Sequence, residues 1–304
     1  TTAGAVVLKN SFVGKDSRVA EILREAGAVI IAKSNMSEWA NFRANLSSSG
    51  WSGIGGQTKN PYVTDRNPCG SSSGSGVAVS ANLCAFAIGT ETNGSIVCPS
   101  NNNGIVGLKP TVGLISRTGI IPISFTQDTP GPMGRTVEDV AVALGVLAGA
   151  DSTDSKTMVK EAKFYNDYTQ FLKKEGLKGK RIGLVTNISG FHFKVDSLMK
   201  DAVEFLRSSG AEVVEVNMPM KGEINASSFH VMLYEFKDGL NSYFASLGDK
   251  APVKNIEELI EFNKKDSIEL RFFDQQLLEM AQLKEGLDDP KYKQALALMQ
   301  KGTR

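Results

Sequence analysis

Apolar residues recur along this chain at two spacings, and the change between them predicts its elements. Over residues 17–26, Val19, Ile22, Leu23 and Ala26 share one helical face, and Gly27 ends the pattern. Residues 28–32 (Ala-Val-Ile-Ile-Ala) are a continuous apolar run, which predicts a buried strand. Residues 44–76 are rich in Ser, Gly, Asn and Pro. A small-residue helix is predicted at 76–84 and a second buried strand at 85–89. The helix predicted over 135–148 opens at Thr136, with Glu138 and Asp139 favourable in its first turn. Strands at 180–186 and 211–216 flank a helix near 195–208, a βαβ unit. Segments 227–247, 255–266, 268–285 and 290–301 then all read as helices, with no strand between them.

Strands alternating with helices imply an α/β fold: a mixed, largely parallel central sheet covered by helices. Residues 1–225 read as its α/β core and 226–304 as a helical portion. No Pro/Gly/Ser linker separates the two, so 1–304 is expected to be a single domain.

Composition narrows the function classes. Of 304 residues, 41% are hydrophobic and 22% charged, ordinary for a globular protein. A net charge of +1 gives no global field to attract nucleic acid or an anionic membrane. No run of about 18 apolar residues could span a bilayer. No signal-peptide pattern opens the chain, so the default location is the cytoplasm. Cys69, Cys84 and Cys98 are odd in number and widely spaced, so they are expected to be reduced structural thiols. No metal site or cofactor is indicated.

The chemistry concentrates in two clusters. Residues 70–76 read Gly-Ser-Ser-Ser-Gly-Ser-Gly and run straight into helix-forming Val77, Ala78 and Val79, which argues against a flexible linker. No Lys-Ser/Thr pair closes the glycine run, so it is not a phosphate-binding P-loop. Ser72 sits at the centre of a Gly-x-Ser-x-Gly pattern, but the residues before it (Thr64 to Pro68) read as a turn rather than the strand a nucleophile elbow needs. His192 and His230 are the only histidines, and neither sits in a tight loop after a strand. A nucleophilic serine here therefore points to a Ser–Lys arrangement without histidine. The second cluster, Gly89-Thr90-Glu91-Thr92-Asn93-Gly94-Ser95-Ile96, follows the predicted strand 85–89. N–H groups of such a strand-end loop can converge on one point, and open α/β sheets place ligands there.

Taken together, these clusters are more specific. Thr-Ala-Gly at the start, Gly70-Ser71-Ser72-Ser73-Gly74, the 89–96 segment and Gly107-Leu108-Lys109-Pro110-Thr111 occur in an order that resembles the amidase signature family. Residues 37–43, 55–58 and 120–129 look most like its bacterial peptide amidases. The match is dense to about residue 150 and looser beyond it. The resemblance implies Ser95 as the nucleophile and Ser71, after a cis Gly70–Ser71 bond, as its proton relay. It implies an oxyanion hole from the N–H groups of Thr92, Asn93, Gly94 and Ser95, with Gly70 and Ser72 supporting. The family's lysine base sits on a strand before the Thr-Thr-Ala-Gly segment, where this chain begins. The fold is therefore expected to be truncated at both ends, with the base outside this chain. Lys9, Lys33, Lys59 and Lys109 all lie on the wrong side of that segment, and Lys33, which ends a predicted buried strand, is the one internal stand-in worth naming. Many relatives carry an Arg shortly after the nucleophile. Val97 and Cys98 stand here instead, which favours a neutral acyl group.

The implied activity is hydrolysis of a small-molecule or peptide carboxamide, notably a C-terminal peptide amide, to acid and ammonia through an acyl-serine. The 304 residues without the lysine are expected to be nearly inactive, since losing a general base costs about 10²–10⁴-fold. Two alternatives stand beside it: the glutamine-amidase subunit of a tRNA amidotransferase, and a non-catalytic, truncated peptide-binding member. The Gln-Asp-Thr-Pro-Gly-Pro segment at 127–132 is more peptide-amidase-like.

Overall fold

A computed structural model describes residues 2–160, 162–218 and 222–302. Helix α1 (Arg18–Glu25) starts where Ser17 accepts the Ala20 N–H, and its apolar stripe buries Val19 and Leu23. A short ribbon pairs β1 (Trp51–Ser52) with β2 (Gly56–Gln57). Helix α2 (Ser73–Ser80) begins three residues earlier than the apolar pattern predicts. After it come β3 (Phe86–Glu91), α3 (Val97–Asn102), β4 (Val106–Gly107) and β5 (Thr129–Gly134). Helix α4 (Val137–Leu147) opens with a reciprocal capping box between Thr136 and Asp139. The predicted βαβ unit is present as β6 (Arg181–Val185), α5 (Phe193–Ser208) and β7 (Glu212–Val216), with β6 and β7 parallel. The helical portion holds α6 (Gly222–Ser246), α7 (Ile256–Lys265), α8 (Gln276–Gln282) and α9 (Pro290–Gly302). No helix among the described residues is long and apolar enough to cross a membrane.

Three expectations change. Residues 28–32 are not a buried strand. They lie extended without a ladder partner among the described residues, with Val29 84% and Ile31 65% exposed. Across from them β3 is the edge of its sheet, whose order is β3-β5-β4. Between the two lies an apolar groove of about 970 Å³, lined by Val29, Ile31, Lys33, Phe86 and Ile88. An apolar run forms a strand only when something pairs with it, and among the described residues nothing does. For the same reason the parallel character expected at the centre is confined to β6–β7, while β3, β4 and β5 pair antiparallel. Finally, 268–285 is helical only over α8; residues before it form turns.

Strand β5 had no sequence signal, because Pro130 and Pro132 argue against a central strand. The register explains their presence. Pro130 and Pro132 alternate along the strand and face the same edge; the carbonyl of Pro132 accepts from Leu108 N–H at 3.0 Å on the β4 side. That side is paired only at Gly107 and its neighbours, so no bond to β3 is lost.

The helical portion packs onto the chain's beginning. One core cluster joins Ala5, Leu8, Trp39 and Phe42 to Phe236, Leu240, Phe244, Leu259 and Leu278. Beside it, fully buried Arg43 pairs with Glu38 and, at 3.0 Å, with Glu269, and its guanidinium lies over the Trp51 and Phe273 rings. Burial, then the Glu269 charge, push the Glu38 carboxyl up to about 9.

Candidate active site

The antiparallel register brings the two serine clusters together. Strand β3 delivers Thr90 and Glu91 to the lip of the sheet, and the chain then turns through Thr92, Asn93, Gly94 and Ser95 into α3. Gly94 takes φ +85°, a left-handed conformation that glycine adopts without cost. The Ser71–Ser73 stretch lies alongside. Ser72 N–H donates to the Ser95 carbonyl at 3.1 Å, and Ser72 Oγ donates to Thr90 O at 3.0 Å while accepting Thr90 N–H at 3.1 Å. Ser72 is thus the stitch between the two clusters. The Gly70–Ser71 bond is cis. A side chain at Gly70 would collide with Ser37 Oγ at 2.3 Å, so close packing demands glycine there.

Ser71 and Ser95 line one small pocket with Thr90, Glu91, Thr92 and Asp128, walled by Ile120, Ile121 and Ile123. Both serines are buried, and Ser71 Oγ has no hydrogen-bond partner among the described residues. A buried hydroxyl without a partner is costly, by about 1–3 kcal/mol. In a site it marks where a further group belongs. The pocket lining contains no lysine; exposed Lys33 lines the adjoining groove instead.

The expected oxyanion donors divide. The N–H groups of Thr92, Asn93 and Ser95 have no acceptor among the described residues. The Gly94 N–H departs from expectation: it donates to Glu91 Oε1 at 2.8 Å. Glu91 Oε2 accepts the N–H groups of Ile96 at 2.7 Å and Val97 at 3.0 Å. This buried carboxylate closes the Thr92–Ser95 turn from beneath. Sequence reasoning assigned it no role, although it stands four residues before Ser95 in the quoted motif.

Two further features were missed. Arg117 lines the pocket, but Asp154 holds it from two sides, Nε to Oδ2 at 2.8 Å and Nη2 to Oδ1 at 2.5 Å, and Nη1 donates to the Phe125 carbonyl. Its charge is thereby neutralised. Cys69 and Cys98 form a disulfide rather than remaining free thiols, with their Cα atoms 5.9 Å apart. Cysteines 29 positions apart carry no sequence sign of pairing; the approach of α3 to the relay loop creates it. The disulfide ties the residue before Gly70 to the third residue after Ser95. Cys84 stays free.

The overall fold is similar to those of known proteins. Peptide amidase from Stenotrophomonas maltophilia superposes with a TM-score of 0.92 at 49% identity, covering 98% of this chain and 61% of that one. An amidase family protein from Bacillus anthracis gives 0.90 at 37%, covering 99% and 59%. A probable amidase of Arabidopsis thaliana is 40% identical over 313 residues, all of this chain and 59% of the relative. The chain thus spans about three-fifths of the length of these relatives. The Amidase family profile matches residues 1–303, and the chain belongs to that family.

Proposed function

We propose that this chain forms the larger part of an enzyme that hydrolyses a neutral carboxamide, a C-terminal peptide amide above all, to the acid and ammonia. The observation that carries the reading is that Ser95 and the orphaned Ser71 hydroxyl share one pocket, on a turn with three unengaged N–H groups. Ser95 Oγ attacks the amide carbonyl. Its proton passes through Ser71 to a base and then to the nitrogen as the C–N bond breaks and ammonia leaves. Water then hydrolyses the acyl-Ser95 by the same relay. The N–H groups of Thr92, Asn93 and Ser95 receive the developing oxyanion, each donor worth about 10²–10³-fold.

Two features support a neutral substrate. Arg117, the arginine on the pocket wall, is occupied by Asp154. One wall is apolar, formed by Ile120, Ile121 and Ile123. The base is proposed to be a lysine from outside these 304 residues, which the partnerless Ser71 hydroxyl supports. A relative from Acinetobacter baumannii, named as part of a glutamyl-tRNA(Gln) amidotransferase, is 37% identical over 246 residues, so its similarity is weaker than that to the peptide amidase. In the full-length enzyme, Ser95→Ala abolishes ammonia release from peptide amides while leaving thermal stability intact. Undiminished release by this variant would sink the assignment.

A further inference from the structure

The turn that bears the oxyanion donors is clamped at both ends by carboxylates, and the second clamp is not part of either serine cluster. Glu91 holds the exit of the turn through the N–H groups described above. Its start is held by Asp128. The register of β3 and β5 pairs Glu91 with Thr129, so Thr92 and Asp128 face each other one step beyond the ladder. Thr92 Oγ1 donates to Asp128 Oδ1 at 2.5 Å. The other oxygen, Oδ2, accepts the N–H groups of Ile123 and Ser124, both at 2.8 Å. Asp128 N–H in turn donates to the Ser124 carbonyl at 2.8 Å, closing a tight turn. One carboxylate therefore joins the oxyanion loop to the isoleucine wall of the pocket, and it lines that pocket itself.

We propose that Asp128 is a positioning residue for the amide hydrolysis, setting the oxyanion loop and the acyl-binding wall in a single register through Thr92, Ile123 and Ser124. This rests on the amidase reading above. The geometry gives Asp128 work that a fold-stabilising carboxylate would not have. Burial pushes its carboxyl up to about 6, against the hydrogen bonds from Thr92, Ser124 and Ile123 and the charge of Arg117, which favour the ionised form. An ionised Asp128 is thus held at the site at a cost to the folded state. An asparagine here can keep its carbonyl on the Ile123 and Ser124 N–H groups, but it then presents an NH₂ donor where Thr92 Oγ1 had a charged acceptor, so the bond from the Thr92 hydroxyl is lost. That exchange spares the wall and removes the charged anchor of Thr92.

The test uses full-length enzyme at pH 8, with kcat and KM for ammonia release from a peptide amide and a thermal midpoint for each variant. Asp128→Asn and Thr92→Val should each lower kcat by about 10–100-fold, the scale of a sub-ångström to ångström misplacement. KM should stay within about threefold, since the ground-state amide does not yet carry the oxyanion. Asp128→Asn should melt no lower than the unsubstituted enzyme. The double variant should be no worse than the poorer single one, because both remove the same tether, and Thr92→Ser, which keeps a hydroxyl, should lose far less than Thr92→Val. The proposal is overturned by a kcat of Asp128→Asn within about threefold of the unsubstituted enzyme. It is also overturned by losses that multiply in the double variant, or by a kcat loss that only follows a lowered midpoint. Absence of ammonia release from the unsubstituted enzyme would instead remove the amidase reading, and this role with it.

Discussion

Replacing Glu91 by glutamine isolates the clamp at the exit of the turn that bears Ser95, the proposed nucleophile. The carboxylate accepts three N–H groups: Gly94 on Oε1, Ile96 and Val97 on Oε2. Glutamine is nearly isosteric but keeps one acceptor oxygen, and its NH₂ must face N–H groups on the other side. The less costly orientation keeps the carbonyl on Ile96 and Val97 and sets donor against donor at Gly94. Glu91 is buried, so water cannot replace the lost acceptor. One unsatisfied buried donor costs about 1–3 kcal/mol, and two bonds weakened from charged to neutral add about 1 kcal/mol or more. The sum is about 3 kcal/mol, drawn from the turn that aims Ser95 and the oxyanion donors. If half of it is relieved by moving the turn, a shift approaching 1 Å costs about 10²-fold in rate. In the full-length enzyme, kcat for ammonia release should fall by about that factor, and urea unfolding should show a loss of about 2–3 kcal/mol. A kcat within about threefold of the unsubstituted enzyme, at unchanged stability, would refute the clamp. A raised kcat would refute it more sharply, showing that the Gly94 N–H serves better when freed for the oxyanion.

Two other expectations follow from the same packing. Glu38 titrates near 9 when folded and near its ordinary value when unfolded, so it binds its proton more tightly in the native state. Its contribution is complete at low pH and is lost as pH rises through 9. Urea midpoints should therefore drop between pH 7 and pH 10, and Glu38→Gln should flatten that drop; an unaltered drop in the variant would place its source elsewhere. The Cys69–Cys98 disulfide closes a loop across 29 positions, which the chain-entropy relation values at about 3–4 kcal/mol. Dithiothreitol should lower the urea midpoint, and Cys98→Ser should show the lower midpoint with or without reductant. A midpoint indifferent to reductant in the unsubstituted protein would contradict the pairing.

Local patterns carried much of this fold because local forces decide them. Thr136 opens its helix as read, and the helix read over 17–26 is present with Ser17 as its cap, since a cap needs only its own first turn. The βαβ unit from β6 to β7 appears where periodicity put it, its strands lying one helix apart. The serine motifs were legible for a related reason. Gly70 and Gly94 are required by a close approach and a left-handed turn, and such requirements leave a fixed spelling. The 268–285 segment shows the limit of periodicity. There Glu269 leaves the helical path to meet Arg43, 226 positions away.

What the sequence by itself determined was which residue types stand in the loops, two serines and the glycines that shape their turns, and where helices such as α1 and α4 begin. What only the tertiary structure decided was partnership. It left 28–32 without a strand to pair, admitted Pro130 and Pro132 into β5 on its sparsely paired side, and joined Cys69 to Cys98. It also set Asp128 opposite Thr92. Each of those depends on strand register or on groups distant along the chain. A pattern of neighbours encodes what a segment can do, and the register of the sheet decides what it meets.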